Sequence, residues 1–499
     1  MGPRLVHYSD VENAFDRPER VGRLAGTIEQ VRAGDESDGG ESGGGSDEAL
    51  VVGTGDDTAP GALALERRGR QALAFFERVE PDAETFGNHD FDFSLADTRA
   101  VVSESAVPWV SANVRHDGEP FAGVDPARVV ERGGERVALV GVSDPDIALP
   151  RGIEVGDPVG SVRETWETLS GGGNSRPPDY LVVLAHTTDA TARALAGATP
   201  ADAVLAGHVH GEARAHVDGT LLVRPGANGR VVWEVDLGDG GVTSDDATAT
   251  ATRHEVPEGP LDEETAAVLR AEMEETGLTE VVATVDKPVA RDRAACLRGE
   301  CALANLATDA LRWVADADVA HVDARGLRDG PPIGPDVTVA DLVGVAPFEA
   351  GIHVATVSTR DLLALVGESV QPAGVDSEAR SASEQSSDGE VWTGQFAGIA
   401  LRRDREAGET RVLASEGTGA VPGARRLGTV ADDGTRRVAE RREFRLATNG
   451  YVVYTDEFET VGPADARELH GLQYEAFVAY ARGADLDPGV DGRIRVVGE

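Results

Sequence analysis

The first half of the chain consists of short apolar runs that alternate with amphipathic stretches. This alternation is typical of layered α/β folds. The predicted strands are Leu5–Tyr8, Leu50–Gly53, Ala83–Phe86, Val137–Val142, Tyr180–Ala185 and Ala203–Ala206. In such folds the ends of neighbouring strands converge on one crevice. Polar residues placed directly behind several strands are therefore expected to meet.

Five of these strands are followed at once by a short polar motif. The motifs are Ser9-Asp10-Val11-Glu12, Gly55-Asp56-Asp57, Gly87-Asn88-His89-Asp90, Ala185-His186 and Gly207-His208-Val209-His210. Their oxygen and imidazole donors suit divalent ions such as Mn, Zn or Fe. Taken singly, each motif has a commoner explanation, such as surface charge, a turn or a buried core histidine. Five motifs in succession, each behind a strand, predict a metal site.

The order of the motifs resembles that of the calcineurin-like metallophosphoesterases: Asp-x-His, Gly-Asp, Gly-Asn-His-Asp/Glu, His, and Gly-His-x-His. The segment Gly87-Asn88-His89-Asp90-Phe91-Asp92 is similar to the 5′-nucleotidase branch of that superfamily. The resemblance implies an N-terminal four-layer α/β/β/α sandwich with two divalent metal ions. Its implied ligands are Asp10, Glu12, Asp56 and His210 for the first ion, and Asp56, Asn88, His186 and His208 for the second.

The resemblance also implies how this site works. Two ions activate a water molecule and clamp the phosphoryl oxygens, so no covalent nucleophile is needed. The implied catalytic residues are Asn88, His89, which stabilises charge on the phosphate or leaving oxygen, and Asp92, which orients the imidazole.

One position departs from the family pattern, because Glu12 stands where the family has histidine. A carboxylate makes the first site harder and more anionic. Among Mn, Mg and Zn we therefore expect a preference for Mn or Mg, with Mn favoured. The alternative is that Glu12 is not a ligand and the first site is weakened.

The second half of the chain carries further similarities to the nucleotidases. Glu300–Ala310 resembles the helix that opens the C-terminal nucleotidase domain, and Asp323–Arg328 lies where the family has Asn-x-Gly-Gly-Ile-Arg. Pro347-Phe348 matches a Pro-Phe turn, and Thr448–Asp456 is similar to a segment that ends in Gly-Gly-Asp. We expect a domain of α+β class. The predicted organisation is a metallophosphoesterase domain at 1–240, a linker with a connector helix at 241–280, and a substrate-binding domain at 281–499.

The residues of the second half predict contacts to a nucleotide. Phe348 and Tyr451 are expected to sandwich a base, and Asp456 to accept hydrogen bonds from ribose. The expected phosphate ligands are Arg298, Arg325 and Arg328. Asp323 replaces the family's asparagine, and its charge would be unfavourable beside a nucleotide unless Arg325 pairs with it. The alternative interpretation is that these aromatic residues are core and these arginines pair with carboxylates.

Composition limits the partners and the setting. Acidic residues number 88 and basic residues 47, which gives a formal net charge of −41. Apolar residues still make up 40% of the chain, so we expect a folded protein with a carboxylate-rich surface, of the halophilic, archaeal type, in which salt screens the repulsion. A chain without a basic stripe is not expected to bind double-stranded nucleic acid.

The remaining features are local. No signal peptide or membrane span is recognisable, so we expect a cytoplasmic protein without a membrane partner. Cys296 and Cys301 are interpreted as two ordinary thiols. The stretches Gly34–Glu48 and Gly374–Glu390 are predicted surface loops.

The predicted function is that of a 5′-nucleotidase, which hydrolyses nucleoside monophosphates and, as a further possibility, 2′,3′-cyclic nucleotides. The alternatives are a sugar-nucleotide pyrophosphatase, a sulfur-ester hydrolase of the same superfamily, and a nucleotide-binding protein whose first metal site no longer supports turnover.

Overall fold

The structure is a computed structural model of the chain. It describes residues 2–34, 48–147, 149–171, 176–239, 241, 249–372, 390–414, 426–455, 458–484 and 486–498. The chain forms two compact units, with the division between Thr276 and Gly277. Among the described helices, none combines the length and apolar character that a membrane span requires.

The first unit contains thirteen described strands and seven described α-helices. The strands are β1 Arg4–Tyr8, β2 Leu50–Gly53, β3 Val114–His116, β4 Glu119–Pro120, β5 Ala127–Arg132, β6 Glu135–Ser143, β7 Ile153–Val155, β8 Tyr180–His186, β9 Ala203–Gly207, β10 Ala213–Val217, β11 Thr220–Arg224, β12 Val231–Asp236 and β13 Thr250–Glu255. The helices are α1 Pro18–Ala33, α2 Ala62–Arg67, α3 Ala72–Val79, α4 Leu95–Glu104, α5 Pro158–Ser170, α6 Asp189–Ala198 and α7 Glu263–Glu275.

Two sheets pack face to face in this unit, in the strand orders β13-β12-β1-β2 and β10-β11-β9-β8-β6-β5. Strand β8 illustrates this packing, because its side chains point alternately into two hydrophobic cores. Tyr180, Val182 and Leu184 lie between the sheets. Leu181 and Val183 lie in the other core, which includes side chains of α5 and α6. This period of two in a strand that is apolar throughout produces the four-layer α/β/β/α sandwich, so the predicted fold class is confirmed.

Most of the predicted strands are present, with one exception. Ala83–Phe86 is not a strand, since only Ala83 and Glu84 form single bridges, to Val52 and Trp109. Helix α7 is capped by the side chain of Asp262 and packs against α1 and α3 of the first unit. Apart from the end residues Gly34, Glu48 and Glu390, the two predicted low-complexity loops lie outside the described residues.

The second unit is an α+β assembly. Its described strands are β14 Val281–Thr284, β15 Val289–Arg291, β16 Val319–Asp323, β17 Gly330–Ile333, β18 Asp336–Thr338, β19 Gly351–Ser358, β20 Val370–Pro372, β21 Glu390–Trp392, β22 Gly394–Ala397, β23 Ile399–Asp404, β24 Glu409–Ala414, β25 Arg426–Ala431, β26 Arg436–Val438, β27 Glu443–Asn449, β28 Ala466–Leu472 and β29 Ile494–Val497. Its described helices are α8 Arg293–Arg298, α9 Ala302–Val314, α10 Val339–Val343, α11 Thr359–Glu368, α12 Gly450–Tyr454 and α13 Gln473–Gly483.

Two five-stranded sheets organise this unit, in the orders β22-β16-β27-β19-β28 and β26-β25-β24-β23-β29. Helix α9 packs against α13, β16 and β22 and buries Leu303, Leu306 and Leu311. These leucines recur at helical spacing, which places them on one face of α9.

The interpretation of Cys296 and Cys301 as ordinary thiols is wrong, because the two residues form a disulfide bond with Cα atoms 5.0 Å apart. Cys296 lies in α8, and Cys301 is the N-cap of α9. The turn between these helices brings the two side chains together, and a count of cysteines alone does not predict such a turn.

Candidate metal centre

The predicted ligands lie in sharp turns at the ends of strands of the first unit. Asp10, Glu12, Asp56 and His208 adopt left-handed backbone conformations, with φ between 46° and 72°. Such φ values are uncommon for residues other than glycine and cluster at functional sites. These turns direct side chains from different strands to one place.

The first group of ligands consists of Asp10, Glu12 and His210, whose donor atoms all lie within 4.8 Å of one another. His210 Nε2 is 3.1 Å from Glu12 Oε1. Asp10 and Glu12 are buried. Glu12 therefore lies among the donor atoms, which favours its prediction as a ligand.

The second group consists of Asp56, His186 and His208, again with donor atoms within 4.8 Å of one another. His186 Nε2 is 3.3 Å from Asp56 Oδ2 and 3.3 Å from Asn88 Oδ1. Asp56 belongs to a third such group with Glu12 and His89. Asp56 thus connects the two halves of the cluster, as a bridging ligand would.

The electrostatics of the cluster test whether these residues suit metal ions. Burial raises the pKa of Asp10 to about 6, with a contribution from Asp56 and Glu12. His186 is also buried, which opposes protonation, yet Asp56 and Asp10 raise its pKa to about 10. Burial lowers the pKa of His208 to about 3. Three buried carboxylates and several imidazoles are concentrated here, and divalent cations would satisfy this donor set.

A second layer of contacts fixes the ligands. Asp90 accepts hydrogen bonds from the backbone N–H groups of Asp56 at 3.0 Å and Gly87 at 2.8 Å. The Nδ1 of His186 donates to the carbonyl oxygen of Thr54 at 2.8 Å. This bond leaves Nε2 of His186 directed toward Asp56, which is how partners of this kind orient ligating histidines.

His89 and Asp92 form the predicted pair beside the ligands. The His89 Nδ1 lies 3.0 Å from each carboxylate oxygen of Asp92. The His89 backbone N–H donates to Asp56 Oδ1 at 2.7 Å. The imidazole is partly exposed, so it is held in place and is still accessible to a substrate.

The structure places the predicted substrate residues in the second unit. Asp323 is buried, and Arg325 pairs with it at 2.6 Å, which is the compensation that its charge required. Arg328 is buried with its guanidinium 5.1 Å from the Phe348 ring centroid. Tyr451 lies on α12 and is 44% exposed.

Two predicted substrate residues remain, Arg298 and Asp456. Arg298 is an exposed residue at the end of α8, inside the ring closed by the disulfide. Asp456 lies outside the described residues. The structure therefore brings the predicted metal ligands together, whereas the assignment of the substrate residues stays a prediction.

Sequence reasoning assigned no role to Asp90 or Glu84, both of which are buried next to the ligand turns. For Asp90 the signal was its place inside the Gly-Asn-His-Asp motif. For Glu84 the signal was a carboxylate within the otherwise uncharged run Ala83–Phe86, at a position where a strand side chain would be buried.

Comparisons with known proteins agree with this architecture. Residues 281–461 match the 5′-nucleotidase C-terminal domain family. The fold is similar to a 5′-nucleotidase precursor from Thermus thermophilus, with a TM-score of 0.75 and 21% identity over all of both chains. It is also similar to the sulfate thiohydrolase SoxB of the same genus, with a TM-score of 0.70 and 17% identity over 100% of this chain and 97% of that one.

Sequence relatives match parts of the chain. The chain is 24% identical to the endonuclease YhcR of Bacillus subtilis over 65% of its own length, and it spans 29% of that protein. It is 26% identical to an apyrase of Tabanus yao over 72% of each chain. Residues 281–461 thus match a 5′-nucleotidase C-terminal domain, and the two-unit fold of the chain is similar to that of a solved 5′-nucleotidase precursor.

Proposed function

We propose that this chain is a two-metal phosphohydrolase that removes phosphate from nucleoside monophosphates, with 2′,3′-cyclic nucleotides as further candidate substrates. The observation that carries the proposal is the position of Asp56, whose carboxylate takes part both in the group with His186 and His208 and in the group with Glu12 and His89.

Two divalent ions held by these residues would lower the pKa of a water molecule and draw charge from the phosphoryl oxygens. The chain's own contribution is positional. Asp92 holds the imidazole of His89 through Nδ1, and in the proposed reaction Nε2 donates a hydrogen bond to a phosphate or leaving-group oxygen. The partial exposure of His89 supports this role.

The second unit supports a nucleotide as the ligand. Its family match is to the C-terminal domain of 5′-nucleotidases. Since Arg328 lies over one face of Phe348, we expect a base to stack on the opposite face. The exposed ring of Tyr451 is the second stacking residue, and Arg298 is the accessible cation for phosphate.

The proposal also includes the metal preference and the salt concentration at which the protein works. Glu12 contributes a carboxylate in place of the family's imidazole, which favours Mn²⁺ or Mg²⁺ over Zn²⁺. The net charge of −41 favours high salt, because counterions screen the repulsion between surface carboxylates. A cytoplasmic location stays a prediction.

The test is a substrate panel in molar KCl with Mn²⁺, Mg²⁺ and Zn²⁺ compared. The panel contains nucleoside monophosphates, 2′,3′-cyclic nucleotides, nucleotide sugars, a sulfur ester and a generic aryl phosphate. We expect the highest kcat/KM for a nucleoside monophosphate with Mn²⁺. Activity on the aryl phosphate alone would exclude a nucleotidase but leave a phosphoesterase.

Variants separate an enzyme from a binding protein. Asp56→Ala should abolish hydrolysis, whereas Asp146→Ala, which removes an exposed carboxylate of the same unit, should not. If wild-type protein binds Mn²⁺ and nucleotide but hydrolyses none of the panel, the interpretation as a nucleotide-binding protein replaces the proposal.

A further inference from the structure

Glu84 is a fully buried carboxyl group that the proposed chemistry does not use. Its Oε1 accepts the backbone N–H of Gly55 at 3.1 Å and that of Thr85 at 3.0 Å. Its Oε2 accepts the hydroxyl of Tyr8 at 2.7 Å. All of these contacts lie inside the first unit.

Two of the partners of Glu84, Tyr8 and Gly55, lie at the ends of the two strands that precede the first two ligand motifs. Tyr8 is the last residue of β1, two positions before Asp10, and it pairs with Gly53 at the end of β2. Gly55 directly precedes Asp56. One carboxyl group therefore ties together the two strand ends that carry Asp10 and Asp56.

The neighbouring backbone leaves room for this side chain. The carboxyl group of Glu84 fills the space that a Cβ atom would occupy at Gly53. The backbone beside it runs along β2, with the N–H of Gly53 donating to the carbonyl of Ala83 at 3.1 Å. Glu84 is therefore an integral part of the contact between these segments.

The charges around Glu84 favour its neutral form. Within the described parts of the chain it makes no ion pair with a basic side chain, and the acidic Asp90 faces it. Burial raises the pKa of Glu84 to about 8, and burial also raises the pKa of Asp57, with Glu84 as the next cause. A neutral carboxyl group keeps the acceptors for Gly55 and Thr85 without burying a charge.

We propose that Glu84 is a positioning residue of the metal centre, whose buried carboxyl group holds the ends of β1 and β2 so that Asp10 and Asp56 meet. The inference rests on the proposed metal centre and concerns a residue outside the ligand set. Metal binding then depends on the hydrogen bonds of Glu84 and not on a negative charge at this position.

The experiment measures Mn²⁺ affinity by isothermal titration calorimetry on full-length protein, without substrate. Glu84→Gln keeps an acceptor oxygen and stays neutral, so we expect a Kd within about 3-fold of wild type. Glu84→Leu removes every hydrogen bond at similar size, and we expect Mn²⁺ affinity to fall by about 10- to 100-fold. Tyr8→Phe removes one of the three bonds and should give a smaller loss.

Asp202→Asn is the matched control. Asp202 is a partly buried acid that, like Glu84, accepts a backbone N–H, that of Leu181, and it lies away from the metal ligands. Its Mn²⁺ affinity should equal that of wild type. If Glu84→Leu does not fold by circular dichroism, Glu84→Gln and Tyr8→Phe still decide the question. Wild-type affinity in both Glu84→Leu and Tyr8→Phe, or a loss in Glu84→Gln as large as 10-fold, would overturn the inference.

The outcomes also separate this inference from the proposed function. Wild-type protein that binds Mn²⁺ and hydrolyses no nucleotide would contradict the function and leave the role of Glu84 open to the same titrations. Wild-type protein that hydrolyses nucleotides while all Glu84 variants keep full Mn²⁺ affinity would contradict only the role of Glu84.

Discussion

The disulfide between Cys296 and Cys301 should stabilise the second unit by a predictable amount. It closes a ring over a sequence separation of five, and a ring of about six residues restricts the unfolded chain by about 2 kcal/mol. Cys301 has a second role, since its Sγ accepts the N–H of Ala304 at 3.3 Å as the N-cap of α9. Serine preserves such a cap, so the variant Cys296→Ser/Cys301→Ser isolates the effect of the disulfide.

The assay is urea unfolding followed by tryptophan fluorescence, with Trp392 as a fully buried reporter in the second unit. We expect the double serine variant and reduced wild type to lose about 2 kcal/mol relative to oxidised wild type. Cys296→Ser/Cys301→Ala should lose about 1 kcal/mol more, because it also removes the cap. Mass spectrometry after alkylation verifies the oxidation state. Equal unfolding midpoints for oxidised wild type and the double serine variant would refute the reasoning.

Three further predictions concern the first unit. His89→Gln should lower kcat by about 100- to 10,000-fold with nearly unchanged Mn²⁺ affinity. Asp92→Asn should lower kcat by about 10- to 100-fold. Wild-type kcat in His89→Gln would contradict the proposed role of His89. Glu12→His should shift metal preference toward Zn²⁺, measured as the ratio of Zn²⁺ to Mn²⁺ affinity, and an unchanged ratio would exclude Glu12 as a ligand. Because burial raises the pKa of Glu84 from 4.5 to about 8, the folded protein retains a proton that the unfolded chain releases. In urea unfolding of metal-free protein, wild type should therefore lose about 3 to 4 kcal/mol more stability than Glu84→Gln as pH rises from 5 to 8. Equal losses in both proteins would contradict the prediction.

Several structural elements follow from local sequence. Strands β1, β2, β8 and β9 lie where the apolar runs predict them, because each is a continuous buried segment bounded by a polar motif. The run Ala83–Phe86 does not form a strand. Its backbone makes only single bridges to the neighbouring segments, and its Glu84 side chain turns toward Tyr8. The residues of an apolar run do not by themselves reveal a distant hydrogen-bond partner such as Tyr8.

The candidate metal centre was predictable to the level of its ligands, because all of them except Asn88 follow strand ends, and the two packed sheets bring these strand ends together. The second unit was less predictable. The motif Asp323–Arg328 indicates possible ligands, yet the pairing of Arg325 with Asp323 and the placement of Arg328 over Phe348 depend on how their side chains turn. The same arginines are therefore consistent with phosphate binding and with internal ion pairs.

The amino-acid sequence by itself determined the α/β class, the order of the ligand motifs and the resemblance to metallophosphoesterases, because these depend on residues that are neighbours along the chain. Only the tertiary structure decided the disulfide, the buried contacts of Glu84 and the grouping of ligands around Asp56. The last two features depend on contacts between distant positions, such as Tyr8 with Glu84, 76 residues apart, and His208 with Asp10, 198 residues apart. The disulfide depends on the turn between α8 and α9. Burial at those contacts sets the protonation of the acids, and burial is a property of the folded chain.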